Sequence, residues 1–133
     1  MLFRSKKGVA VVVIPGDVAL SDAVNQSRRV AFTGVEPEIV PLREELDRLA
    51  AELNRAQKVT ILAGAGCAGA HDELVALAGK LQAPIVHALR GKEFIEYDNP
   101  YDVGRTGLLG FSSGYHAMMN CETLLMLGTD FPY

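Results

Sequence analysis

Between Lys58 and His87 the chain spells a strand, a glycine loop, a helix and a second strand, and no other feature limits its fold as sharply. Lys58 to Ala63, "KVTILA", is short, β-rich and nearly all apolar, the pattern of a strand covered on both faces. Gly64-Ala65-Gly66-Cys67-Ala68-Gly69 follows at once, its glycines in the spacing G-x-G-x-x-G. Leu74, Leu77, Ala78 and Leu81 then fall on one helical face, Pro84 stops that helix, and Ile85-Val86-His87 makes the next strand. About thirty residues is the expected size of a βαβ crossover, and such crossovers return right-handed onto a parallel sheet. The prediction is an α/β domain: a Rossmann-like, three-layer α/β/α arrangement around a parallel sheet.

The flanks extend this unit unevenly. Gly8 to Ile14 is a continuous β-branched run that reads as a strand, ended by the turn residues Pro15-Gly16-Asp17. Residues 18–40 sustain no period and read as a linker. Pro41 suits the first turn of a helix, and Leu42, Leu46, Leu49 and Leu53 follow as one apolar stripe. Residues 88–115 read as a long glycine-rich loop, ordered by its interleaved Leu89, Phe94, Tyr97, Tyr101 and Phe111. A short helix near Ser112–Met119 and a strand at Thr123–Leu127 come next. Gly128 to Tyr133 then lie beyond a strand's carboxyl end, where open α/β sheets place their ligands. The expected boundaries are a strand remnant of a preceding domain at 1–17, a linker at 18–40 and a central domain at 41–133, incomplete at its C-terminal end.

Glycines in this spacing permit a tight turn, close approach of a phosphate and close helix packing. An ordinary NAD site also needs a carboxylate at the end of the next strand for the ribose hydroxyl. Here that place reads Ala88-Leu89-Arg90-Gly91, with no carboxylate before Glu93, which disfavours ordinary NAD binding. Two readings stay open: a turn that serves packing only, or a site for another phosphate-bearing ligand with Arg90 beside it.

Composition removes several other classes. A net charge of -3 with only short basic clusters argues against a nucleic-acid partner. Cys67 and Cys121 lie far apart in the sequence, which favours neither a disulfide framework nor a zinc site. The longest apolar run is far too short for a transmembrane segment, and a reduced, cytoplasmic setting is the default. His71 and His116 read as surface residues and His87 as a satisfied structural histidine. Ser112 and Ser113 lack the G-x-S-x-G of a nucleophile elbow, so no catalytic residue and no metal ligand is expected.

The segments "GAGCAGAH" at 64–71, "APIVHALRGKEFIEYDNPYDVG" at 83–104, "TGLLGFSSGYHAMMN" at 106–120 and "LLMLGTDFPY" at 124–133 carry a resemblance. The chain resembles the central domain of thiamine-diphosphate-dependent pyruvate oxidases, above all pyruvate dehydrogenase (quinone), and the likeness covers essentially its whole length. It implies a flavoenzyme parent that decarboxylates pyruvate oxidatively to acetate and CO2 and passes electrons through FAD to a quinone. Thiamine diphosphate and Mg²⁺ would be held by other domains. The first seventeen residues would end a pyrimidine-binding domain, and the central domain would be a six-stranded parallel sheet holding extended FAD. The implied flavin contacts are Thr106, Gly107, Leu108 and Leu109, then Thr129, Asp130, Phe131, Pro132 and Tyr133. Gly64, Gly66 and Cys67, with Ala88, Leu89, Arg90 and Gly91, would line the same cleft. The resemblance also implies a homotetrameric parent, cytoplasmic or peripheral at the inner face of the cell membrane.

Asp130 departs from the family pattern by standing where an uncharged Gln is familiar, which sets a like charge beside the expected pyrophosphate. The G-D-G…N signature for Mg²⁺ and thiamine diphosphate does not occur in the chain, so these residues alone are expected to be inactive. Related alternatives are acetolactate-synthase-like enzymes, which keep FAD as structure, oxalyl-CoA-decarboxylase-like enzymes, which bind ADP, and a ligand-free structural piece. The missing zinc cysteines and catalytic context argue against a sirtuin-like deacylase.

Overall fold

The computed structural model describes residues 11–22 and 39–130. The chain divides into two compact units, Met1–Val40 and Pro41–Tyr133. In the first, residues 11–14 are exposed and no described strand pairs with them. Helix α1, Gly16–Ala19, stands where the sequence suggested a turn. The strand expected over Gly8–Ile14 is therefore not formed at 11–14, while 8–10 lie outside the described residues. β-branched residues favour extended backbone, but only a ladder partner makes a strand of it. Most of the expected linker, 23–38, also lies outside the described residues.

The second unit starts with α2, Arg43–Arg55. Pro41 sits just outside this helix rather than in its first turn. The Glu45 carboxylate accepts the N–H of Leu42, the residue before the helix, at 3.2 Å. Glu44 and Glu45 at its start and Arg55 at its end suit the helix dipole. Of the leucine stripe only Leu53, joined by Ala56, packs on the core; Leu42, Leu46 and Leu49 stay exposed.

Strand β1, Val59–Ala63, is followed by a 3-10 turn at Ala65–Cys67 and by α3, His71–Leu81. Strand β2, Ile85–His87, runs into a second 3-10 turn, Leu89–Gly91, and the short α4, Lys92–Ile95. Next come β3, Asp102–Arg105, then α5, Ser112–Met119, and β4, Thr123–Leu127. The stretch 88–115 thus holds a helix and a strand where the sequence suggested one long loop. Strand β3 escaped notice because Gly104 sits at φ +97° and the pairing with β2 shifts register between Ile85 and His87, which breaks any regular alternation.

All pairings are parallel, in the order β3-β2-β1-β4. The α/β fold expected from the sequence is present, with four described strands. β1 is central, and each of its residues is buried. Its Val59, Ile61 and Ala63 join Leu74, Ala78, Ile85, Ile95 and Leu125 in the main core, against which Leu77, Leu81 and Phe94 pack. On the opposite face α5 approaches closely, and Thr60 Oγ1 donates to the Ala117 carbonyl at 2.9 Å. Gly114 permits this approach, since a Cβ there would come within 3.2 Å of Val86 Cγ1. Burying side chains such as Ile61, Leu62 and Ile85 contributes about 1.5–3 kcal/mol each. Strand order reverses between β1 and β4, and this switch point places the candidate site at their carboxyl ends.

Candidate functional site

Four loops leave the carboxyl end of the sheet: 64–70 after β1, 88–91 after β2, 106–111 after β3 and 128–130 after β4. Every predicted site residue within the described part lies on one of them. Phe131, Pro132 and Tyr133 lie outside the described residues.

The first loop uses its glycines in a way the motif alone does not reveal. A Cβ on Gly64 would lie 2.4 Å from the Gly128 carbonyl oxygen, and one on Gly66 would lie 2.6 Å from Gly128 Cα. Gly128 reciprocates, since its own Cβ would meet Cys67 N at 2.6 Å. A Cβ on Gly91 would in turn lie 3.0 Å from the Gly64 carbonyl carbon. Three loops thus meet backbone to backbone, and Gly66 donates its N–H to the Gly128 carbonyl at 2.8 Å. That N–H is turned into the protein and does not face a ligand. Gly69, at φ +84° with open space around it, is needed for its backbone conformation instead. Helix α3 begins only at His71, so the glycines precede its N-terminus and form no part of it.

Cys67 is buried, and its thiol donates to the Leu127 carbonyl at 3.4 Å. Burial pushes the thiol above its usual range, partly offset by a backbone hydrogen bond to Gly64. A thiol held protonated is a poor nucleophile and a poor metal ligand. Among the described residues no group of three or more His, Cys, Asp or Glu side chains is placed to hold a metal ion.

The outer loops have firm bases and apolar tips. In 106–111 the Gly110 N–H bonds the Gly107 carbonyl at 2.8 Å and the Phe111 N–H bonds the Arg105 carbonyl at 2.9 Å. Arg105 Nε donates to the Leu109 carbonyl at 2.8 Å while its guanidinium lies 5.5 Å from the Phe111 ring centre. On this braced turn Leu108 is fully exposed, 102% of the reference surface, and Leu109 and Phe111 are largely exposed. A cavity of about 210 Å³ lies between Thr106, Gly107, Gly110, Phe111, Ser112 and Tyr115. Around the second loop Ala88 and Gly91 are buried, whereas Leu89 and Arg90 project into a wider cavity of about 520 Å³ with Lys92, Glu93, Glu96 and Tyr97. Asp130 is exposed at the far edge.

Neither cavity encloses a dinucleotide, but both open onto the line of loops, and exposed apolar tips on a rigid base suit a long, partly planar ligand lying across them. Asp130 and the inward Gly66 N–H oppose a phosphate at the β4 end, whereas Arg90 favours one at the β2 end.

Sequence reasoning missed three participants. Gly128 forms the contact that Gly64 and Gly66 serve, and its only signal is its place just after β4. His71, expected as surface filler, stacks on Tyr97 with ring centres 4.0 Å apart, and its Nδ1 lies 2.9 Å from the Phe94 carbonyl. Asp102 lies 2.7 Å from buried His87, a pairing no local spacing announces.

The family described as thiamine pyrophosphate enzyme, central domain, matches residues 46–133. The chain is 63% identical, over 96% of its length, to an uncharacterized 42.6 kDa protein encoded in the isoamylase 3′ region of Pseudomonas amyloderamosa. It is 37% identical over 97% of its length to YdaP of Bacillus subtilis, described as thiamine pyrophosphate-containing. It is 30% identical over 95% of its length to the large subunit of acetolactate synthase isozyme 2 of Escherichia coli. The chain spans 32%, 22% and 23% of these proteins, respectively.

Proposed function

The chain belongs to the thiamine pyrophosphate enzyme family, as a central domain, and from that premise we propose that its strand-end surface holds FAD in an extended conformation. The carrying observation is the convergence of the four loops at one end of a parallel sheet, with Leu89, Leu108, Leu109 and Phe111 exposed on bases fixed by hydrogen bonds. In this reading Thr106 to Leu109 hold one side of the cofactor and Gly128 to Asp130 the other. Ala88 to Gly91 and the Gly64–Cys67 turn form the floor, and Arg90 faces a phosphate. The chemistry FAD supplies when bound is uptake of an electron pair, which the parent reaction delivers from pyruvate and returns to a quinone. The chain's residues position the cofactor and shield one face of it from water. Thiamine diphosphate and Mg²⁺ belong to other parts of a tetrameric parent, cytoplasmic or peripheral at the membrane. Among the described residues no helix is long and apolar enough to cross a membrane.

Quenching of FAD fluorescence on titration with the 133-residue chain tests the cofactor. An unchanged signal at high protein concentration counts against it. A second reading, a carboligating parent that keeps FAD without redox use, is supported by the similarity to acetolactate synthases. Supplying the parent with pyruvate and a quinone separates the two: acetate with reduced quinone supports the first, acetolactate without quinone reduction the second.

A further inference from the structure

His87 stands at the carboxyl end of β2 with only 2% of its surface exposed, and it touches both outer walls of the cleft. Its Nδ1 lies 2.7 Å from Asp102 Oδ1 at the start of β3. The other oxygen of Asp102 accepts the Gly104 N–H at 3.1 Å, and the His87 carbonyl accepts the Thr106 N–H at 3.1 Å. On the other side Nε2 lies 3.8 Å from a carboxylate oxygen of Glu96, just beyond α4, which is also paired with Lys92. One imidazole therefore links the wall built on residues 89–97 to the wall built on 104–111.

The two distances have different meanings. With Asp102 ionised, Nδ1 carries a proton and donates it in a short, charge-assisted bond. Nε2 of the neutral ring then presents a lone pair to a carboxylate, and 3.8 Å is too long for a hydrogen bond. A second proton turns Nε2 into a donor. We propose that His87 is a positioning residue for the cleft, and that its protonation draws Glu96 into hydrogen-bond distance and locks the two walls together. The charged groups around the ring are Asp102 from β3 and Glu96 with Lys92 from the α4 side. Arg105 pairs with His87 in the ladder, but its Nε is turned to the Leu109 carbonyl. Strand β1 carries no titratable side chain, Glu93 has no ion pair to the ring, and His116 on α5 is exposed.

This rests on the FAD reading only for its binding arm. Amide hydrogen exchange of the 133-residue chain, corrected for intrinsic rates, is followed from about pH 8 to pH 5. Protection at Gly104 and Thr106 should rise about tenfold relative to Ile61 and Leu62 as pH falls, the effect of one hydrogen bond between charged groups. His87→Asn retains a donor toward Asp102 but has nothing at the Nε2 position, so it should flatten that profile. Glu96→Gln, at an exposed position, should do the same with an unfolding midpoint unchanged at about pH 8, where the clamp is open, and it serves where His87→Asn does not fold. A flat profile in the wild type, or an unaltered one in Glu96→Gln, overturns the proposal. FAD affinity should follow the same pH profile. Absence of FAD binding with the exchange profile intact would sink the cofactor reading and leave the clamp standing.

Discussion

Gly64→Ala isolates the close approach on which the floor of the cleft depends. Gly64 has φ −122° and ψ −170°, extended backbone that alanine adopts freely, so the substitution carries no conformational penalty of its own. The added methyl would lie 2.4 Å from the Gly128 carbonyl oxygen, 2.6 Å from Thr129 Cβ and 2.9 Å from Thr129 Cα. Two of these three atoms are backbone, so no side-chain rotation relieves the overlap. The 128–130 loop must retreat by about 1 Å, a shift that overpacking data value at about 1–3 kcal/mol. The retreat also strains the bonds from Gly64 N–H to Leu127 and from Gly66 N–H to Gly128, at 2.9 and 2.8 Å, each contributing about 0.5–1.5 kcal/mol. A loss of about 2–4 kcal/mol is expected. Urea unfolding followed by circular dichroism reads it as a lower midpoint at unchanged slope. FAD affinity should fall with it, because the two sides of the proposed cleft separate. A loss below about 0.5 kcal/mol would show that the loops do not meet as described and would refute the packing account.

Three further outcomes are expected. Gln82 closes α3 in the left-handed region at φ 49°, so Gln82→Gly should stabilise the chain by about 0.5–1 kcal/mol in thermal unfolding, less whatever its side-chain bond to the Gly79 carbonyl contributes. Asp130→Gln should tighten FAD binding by about two- to fivefold at low salt, with the gain fading as salt screens the charge, measured by fluorescence titration. Burial raises the Cys67 thiol above its usual value near 9.0, so above that pH the unfolded chain releases a proton that the folded chain retains. The contribution of the thiol to stability should therefore be constant below about pH 9 and decline above it, and Cys67→Ala should remove that part of the decline in denaturation midpoints taken across the alkaline range.

The sequence discloses the elements whose signals are local. β1 and β2 are continuous apolar runs, α3 is periodic and closed by a proline, and α5 and β4 lie where their patterns place them. Signals that depend on a distant partner stay hidden. The run at 11–14 looks like a strand, but its propensity needs a ladder to act on. Strand β3 is short and broken by Gly104, so burial and alternation both fail to mark it. The glycine motif was recognisable, yet its spacing does not say whether a ligand or Gly128 occupies the space a side chain would fill. His87 and Asp102 are separated by a helix and a loop, and only the fold shows that they touch. Exposure of Leu108 and Leu109 was equally hidden, since apolar residues in a loop read the same whether they turn in or out.

The order β3-β2-β1-β4 also sets a timetable for assembly. β1 can pair with β2 soon after both emerge from synthesis, for Ile61 and Ile85 are close in the chain. Its other flank waits for β4, because Val59 pairs with Thr123 more than sixty positions later. Until then the central strand shows an open edge, and closing so long a loop is what slows folding of parallel sheets. Gly64, Gly66 and Gly128 come together only in that last step. Among the described strands the cleft floor is therefore the last part to form, and a ribosome that pauses before residue 123 would hold it open.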